Sequence, residues 1–260
     1  MKKQLLAASA ITLALPSLSL GALVAWYPLD TDASDASGNG HNGSVVGGTV
    51  NFGQAGANGA TGDSAAFPDN GHIDVPFSTA LNPGSFTVTL WANASNTAGF
   101  ASPITSRDDF MGGVSTHGYI LYNNAGGNWD FWTGDGNPGW DTLVGAPVAV
   151  STWTHLAISF DAGTGTKTLW VDGVVSATET APSQYSQNGI VESENLHIGS
   201  GQDDGANFYF GGSIDDVTIW DEALDETAIQ DIMNNSIVIP EPSSLGLLSL
   251  AGLGVLRRRR

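Results

Sequence analysis

Cysteine is absent from the 260 residues, so no disulfide braces the fold and no thiol serves as ligand or nucleophile. Basic residues are nearly absent too. Of eight, six sit at the ends (Lys2, Lys3 and Arg257 to Arg260), leaving Arg107 and Lys167 between them. Against those two stand 25 acidic residues from Trp26 to Pro240, a balance of −23. Such a body repels phosphates and anionic lipid headgroups and attracts cations, which sets nucleic-acid binding aside. Charged residues make up only 13% of the chain while glycine reaches 34, which argues against exposed helices. What is present is 41% hydrophobic residues with 8 Trp and 10 Phe, enough for a sizeable core.

The ends carry their own signals. Lys2 and Lys3 precede the apolar run Leu5 to Leu15, and Ser19, Gly21 and Ala22 offer small residues for cleavage, so 1–22 is expected to be a secretion signal processed by signal peptidase. Its rival, a retained anchor, is disfavoured by the short run and by Pro16. At the other end Pro240, Glu241 and Pro242 lead into an uncharged stretch, Ser243 to Leu256, closed by Arg257, Arg258, Arg259 and Arg260. A helix of 243–256 would span ~21 Å against a hydrocarbon core of ~30 Å. The four arginines stay on the cytoplasmic side and hold the preceding body on the far side.

This order of Pro-Glu-Pro, short apolar helix and terminal arginines resembles the PEP-CTERM sorting signal. The resemblance implies recognition by an exosortase, removal of the tail, and a Gram-negative host that makes extracellular polysaccharide. An ordinary C-terminal anchor with stop-transfer arginines is the alternative.

Between the ends, period-two alternation recurs. Phe86, Val88 and Leu90 share one face of 86–91, with Thr87, Thr89 and Trp91 on the other. Leu156, Ile158 and Phe160 do the same in 153–160, and Asp172-Gly173 predicts a type I′ hairpin between 167–171 and Val174-Val175. Further strands are predicted at 26–29, 65–67, 72–75, 119–122, 129–133, 196–198 and 214–220. About a dozen short strands predict an all-β, antiparallel sandwich in one domain, 23–235, followed by a spacer and the tail over 236–260. One helix is predicted after Asp225 as cap, with Ile229, Ile232 and Met233 on one face.

These segments resemble, in order, the LamG-like jelly roll of concanavalin A-like proteins. The carrying residues are 26–30 (Trp-Tyr-Pro-Leu-Asp), 35–43, 81–91, 153–157, 169–173 (Leu-Trp-Val-Asp-Gly), 198–199, 212–220 and 222–224. The resemblance speaks to fold far more than to ligand.

Three chemistries are weighed. The loop 30–43 gathers Asp30, Asp32, Asp35, Asn39 and Asn42 among glycines, hard oxygen donors suited to calcium, although it lacks the EF-hand spacing. The LamG resemblance implies a Ca2+ ion held by Asp30, Asn39, Asn42, Asp215 and the His41 carbonyl; the alternative is that these residues build turns and accept backbone hydrogen bonds. The segment 128–140 offers Trp132 and Trp140 with Asp135 and Asn137, flat apolar faces beside hydrogen-bonding edges, as a sugar platform. Tryptophan is more often core, and Trp26, Trp91, Trp153, Trp170 and Trp220 are assigned there. For catalysis, the paired-carboxylate string E-x-D-x-x-E, a zinc-ligand histidine spacing and G-x-S-x-G are all missing.

The expectation is an exported, non-enzymatic cell-surface or matrix protein that binds polysaccharide or a surface protein. The alternatives are a glycan-processing enzyme with an unrecognised site, or a purely structural matrix component.

Overall fold

The structure, a computed structural model, describes residues 21–110, 115–180, 185–190, 193–201, 207–235 and 237. Most of the expected secretion signal and the whole tail from Pro240 to Arg260 lie outside the described residues. Alternation produces fifteen strands among them, in two antiparallel sheets, joined by one 3-10 turn (Thr79–Leu81) and one α-helix.

Sheet A contains β1 (Leu23–Tyr27), β3 (Asn51–Ala55), β4 (Asp63–Phe67), β6 (Phe86–Ala94), β11 (Thr154–Asp161), β12 (Thr166–Val171), β13 (Val174–Thr180) and β15 (Gly212–Trp220). Their order is β13-β12-β11-β6-β15-β4-β3, with β1 also paired to β15. Sheet B contains β2 (Ser44–Val46), β5 (His72–Val75), β7 (Ala101–Phe110), β8 (Ser115–Asn123), β9 (Asn128–Asp135), β10 (Asp141–Pro147) and β14 (Leu196–Ile198). Their order is β10-β9-β8-β7-β14-β5-β2.

Consecutive runs, β11 to β13 and β7 to β10, alternate with crossovers such as β11-β6-β15-β4 and β7-β14-β5-β2, the crossed-over sandwich expected of a jelly roll. Phe86, Val88 and Leu90 of sheet A pack between the sheets with Tyr119, Leu121, Trp129 and Phe131 of sheet B, all buried. Asp172 and Gly173 both take positive φ in the β12–β13 turn, as the hairpin required.

Four strands escaped the sequence reading. β7 is central although it contains Pro103, because the register slips between Ala101 and Ile104 and the proline sits in that irregularity. β10 is an edge strand, and β2 and β3 are short and largely exposed, so none shows clean alternation.

The second face of sheet A is closed by α1 (Glu226–Asn235), whose Ala228 N–H donates to Asp225 Oδ1 at 2.9 Å. Ile229, Leu224 and Ala228 join Ala157, Trp170 and Trp220 in a separate apolar cluster. Trp170 and Trp220 are thus buried, but Trp26, Trp91 and Trp153 are only half-buried, a correction to their assignment to the core. None of the three belongs to the cluster sealed by α1.

The two internal cations are both withdrawn from solvent. Lys167 Nζ lies 2.9 Å from Asp141 Oδ2 and Arg107 packs under Trp140, with exposures of 0% and 3%. The surface of the body therefore shows carboxylates without a single exposed Lys or Arg among the described residues.

Candidate functional site

Of the buried polar atoms left without hydrogen-bond partners among the described residues, those on β9 and on β15 fall where the sequence raised a binding chemistry. On β9, Trp129 and Phe131 point into the core, so alternation turns Asp130 and Trp132 to the outer face of sheet B. Register with β8 sets Ile120 opposite Trp132 and Tyr122 opposite Asp130. Trp132 thereby meets Tyr122 edge to face at 5.1 Å between ring centroids and Phe100 at 5.6 Å. Phe208 completes a four-ring cluster, 5.6 Å from Tyr122 and 6.0 Å from Phe100. Tyr122 is buried, Trp132 and Phe208 are half-buried, and Phe100 is 37% exposed, so the cluster is open on one side.

Asp130 is 4% exposed; its Oδ2 accepts from Asn124 Nδ2 at 3.0 Å, while Oδ1 has no partner. Trp132 Nε1 is also buried without an acceptor. Unsatisfied buried polar atoms are rare enough to need a reason.

Trp140, the other tryptophan expected here, is half-buried with the Arg107 guanidinium 5.0 Å from its ring centre, a cation–π contact. Asp135 and Asn137 close on each other: Asp135 Oδ1 accepts the Asn137 N–H at 2.9 Å and Oδ2 accepts from its amide at 3.0 Å. That is an Asx turn. Phe100, Tyr122 and Phe208 were not singled out, because they lie on segments remote from 128–140 in sequence.

The second place is Asp215. It is fully buried on β15; Oδ2 accepts from the Ala57 N–H at 2.9 Å and Oδ1 has no partner. Burial, with the charges of Asp216 and Asp30 nearby, pushes its carboxyl up to about 7 against the pull of the Ala57 N–H. Asp30 accepts from the Asp63 N–H at 2.6 Å, and a Cβ on Gly62 (φ +80°) would stand 2.6 Å from Asp30 Oδ1. A Cβ on Gly56 would meet the Gly62 carbonyl and come within 3.0 Å of Asp215 Oδ2. Glycine at both positions lets the 56–62 backbone close on the two carboxylates. Leu29 and Asp216 flank the pair with φ of 62° and 47°, a costly conformation for residues with a Cβ. Beside Asp30 an open hollow of about 180 Å3 is walled by Leu29, Asp32 and Ser34.

Asn39, His41 and Asn42, expected with them, are arranged around Asp35 instead. Asp35 accepts from the backbone N–H groups of Trp26, Ser37 and His41, and its own N–H donates to Asn42 Oδ1 at 2.9 Å. Asn39 donates to the Leu23 and Val24 carbonyls, and the His41 carbonyl accepts from the Tyr27 hydroxyl at 2.7 Å. Burial works to raise Asp35, but these hydrogen bonds outweigh it and hold the carboxyl below the usual range. Among the described residues no three His, Asp or Glu side chains converge as a metal-binding group. His72 and His197, unrelated in sequence spacing, do meet with ring centres 4.9 Å apart, and His197 Nε2 lies 3.3 Å from Asp74 Oδ1.

Residues 42–230 match the family model of the concanavalin A-like lectin/glucanases superfamily, and 238–260 match the PEP-CTERM protein-sorting motif, which indicates export to the cell envelope or surface. No curated protein matches the chain. Among solved structures, the chain is similar to domain 4 of AbnA, a GH43 extracellular arabinanase from Geobacillus stearothermophilus, in complex with arabinotriose. That match has a TM-score of 0.64 at 22% identity, over 82% of this chain and 98% of that one. The CBM40 of the Ruminococcus gnavus IT-sialidase, bound to α2,3 sialyllactose, gives 0.52 at 15% identity over 65% and 95%. The binding domain of Paraclostridial Mosquitocidal Protein 1 gives 0.61 at 16% identity over 82% of this chain and 52% of that one.

Proposed function

The chain belongs to the concanavalin A-like lectin/glucanases superfamily, and from that premise we propose that it is an exported, non-enzymatic carbohydrate-binding protein of the Gram-negative cell envelope or its matrix. The observation that carries this reading is the half-open cluster of Phe100, Tyr122, Trp132 and Phe208 on the outer face of sheet B. Flat apolar ring faces beside hydrogen-bonding atoms are what a sugar presents a complement to. Support also comes from the similar chains, named as a binding domain, a carbohydrate-binding module and a domain held with an oligosaccharide. A glycan array with the exported protein tests it. Binding should fall tenfold or more in Trp132→Ala; retention of full binding in that variant, or silence across the array, overturns the reading.

A cation brace belongs to the same proposal. The orphaned Asp215 oxygen and the glycine-lined backbone around Asp30 fit calcium, which takes carboxylate and carbonyl oxygens alike. Asp30 and Asp215 would hold the ion with carbonyls of 56–62, and its charge would stabilise the ionised Asp215. Asn39, His41 and Asn42 would order the neighbouring loop. Melting with calcium and with chelator reads this directly: millimolar calcium should raise the midpoint, and an unchanged midpoint removes the ion.

The tail is assigned to exosortase after signal peptidase has acted at the other end. Mass spectrometry of the surface-attached protein should find Arg257 to Arg260 gone; a mature chain that keeps Arg260 refutes this processing.

A further inference from the structure

We infer that Asp130 and the Trp132 indole N–H form a hydroxyl-reading pair, and that Asp130 restricts the aromatic site to uncharged sugars; this rests on the carbohydrate-binding reading above. Two atoms on the outer face of β9 are orphaned. Asp130 Oδ1 is an acceptor and Trp132 Nε1 a donor, both buried and both without partner. They stand two residues apart on one face of β9, with the four-ring cluster built around Trp132. A sugar hydroxyl supplies the missing complement, because it donates one hydrogen bond and accepts others, and a pair of adjacent hydroxyls can serve both atoms at once.

A carboxylate cannot. It has no proton for Asp130, and it would place a second anion beside one already withdrawn from water, where repulsion is strong. The surroundings do not offset that. Lys167 is near enough for Asp130 to favour its charge, but it is fully buried and held by Asp141, and Arg107 lies against Trp140, so no exposed cation of the described body faces an incoming polyanion. The body as a whole carries −23 from Trp26 to Pro240, which opposes approach as well as docking.

Asp135 and Asn137, closer to the sequence expectation, cannot take this role without breaking their mutual hydrogen bonds. Asp130 needs no such break, since Asn124 occupies only Oδ2.

The experiment measures affinity of the exported protein for matched oligosaccharides that differ only at C6. The probes are α-1,4-galactotriose against α-1,4-trigalacturonate, and β-1,4-mannotriose against β-1,4-trimannuronate. The native protein should prefer the neutral member of a pair at least tenfold at low salt. Asp130→Asn should weaken neutral binding while shrinking that preference below threefold, because an amide no longer repels the carboxylate. Trp132→Phe keeps the ring but loses the N–H, so it should weaken the neutral trimer several-fold and leave the preference intact. Equal or tighter binding of a uronate by the native protein overturns the inference, and so does an unchanged preference in Asp130→Asn. Binding to none of the neutral glycans here or on the array, with Trp132→Ala no different from native, is the separate outcome that overturns the carbohydrate reading itself. Should Asp130→Asn fail to fold, the native preference and the Trp132→Phe series still decide the matter.

Discussion

On the outer face of sheet A, Thr87, Thr89 and Trp220 disappear beneath α1, whereas on the outer face of sheet B Trp132 and Phe100 stay partly open. Both faces start from the same alternation of apolar and other residues. On sheet A several polar groups of the second face are satisfied internally, although the Trp170 indole is not: Thr87 donates to the Glu222 carbonyl at 2.7 Å and accepts from the Leu224 N–H at 2.8 Å. Thr89 and Thr218 share a bond of 2.6 Å, and the Trp220 indole donates to Thr218 at 2.8 Å. On sheet B the corresponding indole, that of Trp132, has nothing to donate to. The difference lies in cover rather than in hydrogen bonding: Leu224, Ala228 and Ile229 pack over Trp170 and Trp220, of which Trp220 donates to Thr218 of its own strand and Trp170 finds no acceptor, whereas Trp132 and Phe100 stay partly open.

The comparison breaks most forcefully at the helix. Ile229 is fully buried against Trp170 and Trp220, so Ile229→Ala should cost about 2–4 kcal/mol in denaturant unfolding. A loss under about 0.5 kcal/mol would mean that α1 does not seal sheet A.

The carboxylates give a second contrast, one of opposite sign. Asp215 sits at about 7 in the folded protein, above an unfolded value near 4, so the fold favours its protonated form. Its contribution is whole below pH ~4 and is lost as pH rises to about 7, on the order of 2–4 kcal/mol in chelator. Asp35 is held below the usual range, so its contribution is whole above pH ~4 and is lost as pH falls further. Asp215→Asn should flatten the neutral limb and abolish any calcium-induced stabilisation; a chelated native protein equally stable at pH 5 and pH 8 would contradict the assignment of Asp215.

Phe100→Ala sharpens the comparison from the side of sheet B. It removes the most exposed ring of the cluster, and glycan affinity should drop about three- to tenfold, roughly 0.7–1.4 kcal/mol, with little change in melting. The smallest effect belongs to Asp135→Ala. Losing its Asx turn should cost about 1 kcal/mol of stability or less and leave glycan affinity alone. A tenfold loss of affinity there would return Asp135 to the site.

Much of this architecture was legible in the chain. The faces of 86–91 and 153–160, the Asp172-Gly173 turn and the Asp225 cap all follow from spacing, because side-chain direction in a strand and capping at a helix start are local geometry. β7 was hidden by Pro103 and its polar residues, and only the register slip explains its central place. Trp26, Trp91 and Trp153 could not be told from Trp170 and Trp220, since only the latter two pack against Leu224, Ala228 and Ile229, a contact made in the tertiary structure.

By itself, then, the sequence determined which residues face which way, that the body is acidic, and where the sorting motif lies. Tertiary structure alone decided which polar atoms without a donor or acceptor nearby in the chain are spent. Asp35 and Asp135 find donors within a few residues, while Asp130 Oδ1, Trp132 Nε1 and Asp215 Oδ1 find none. The physical reason is that a strand fixes the direction of a side chain, but its hydrogen-bond partner comes from whichever segment the fold lays across it.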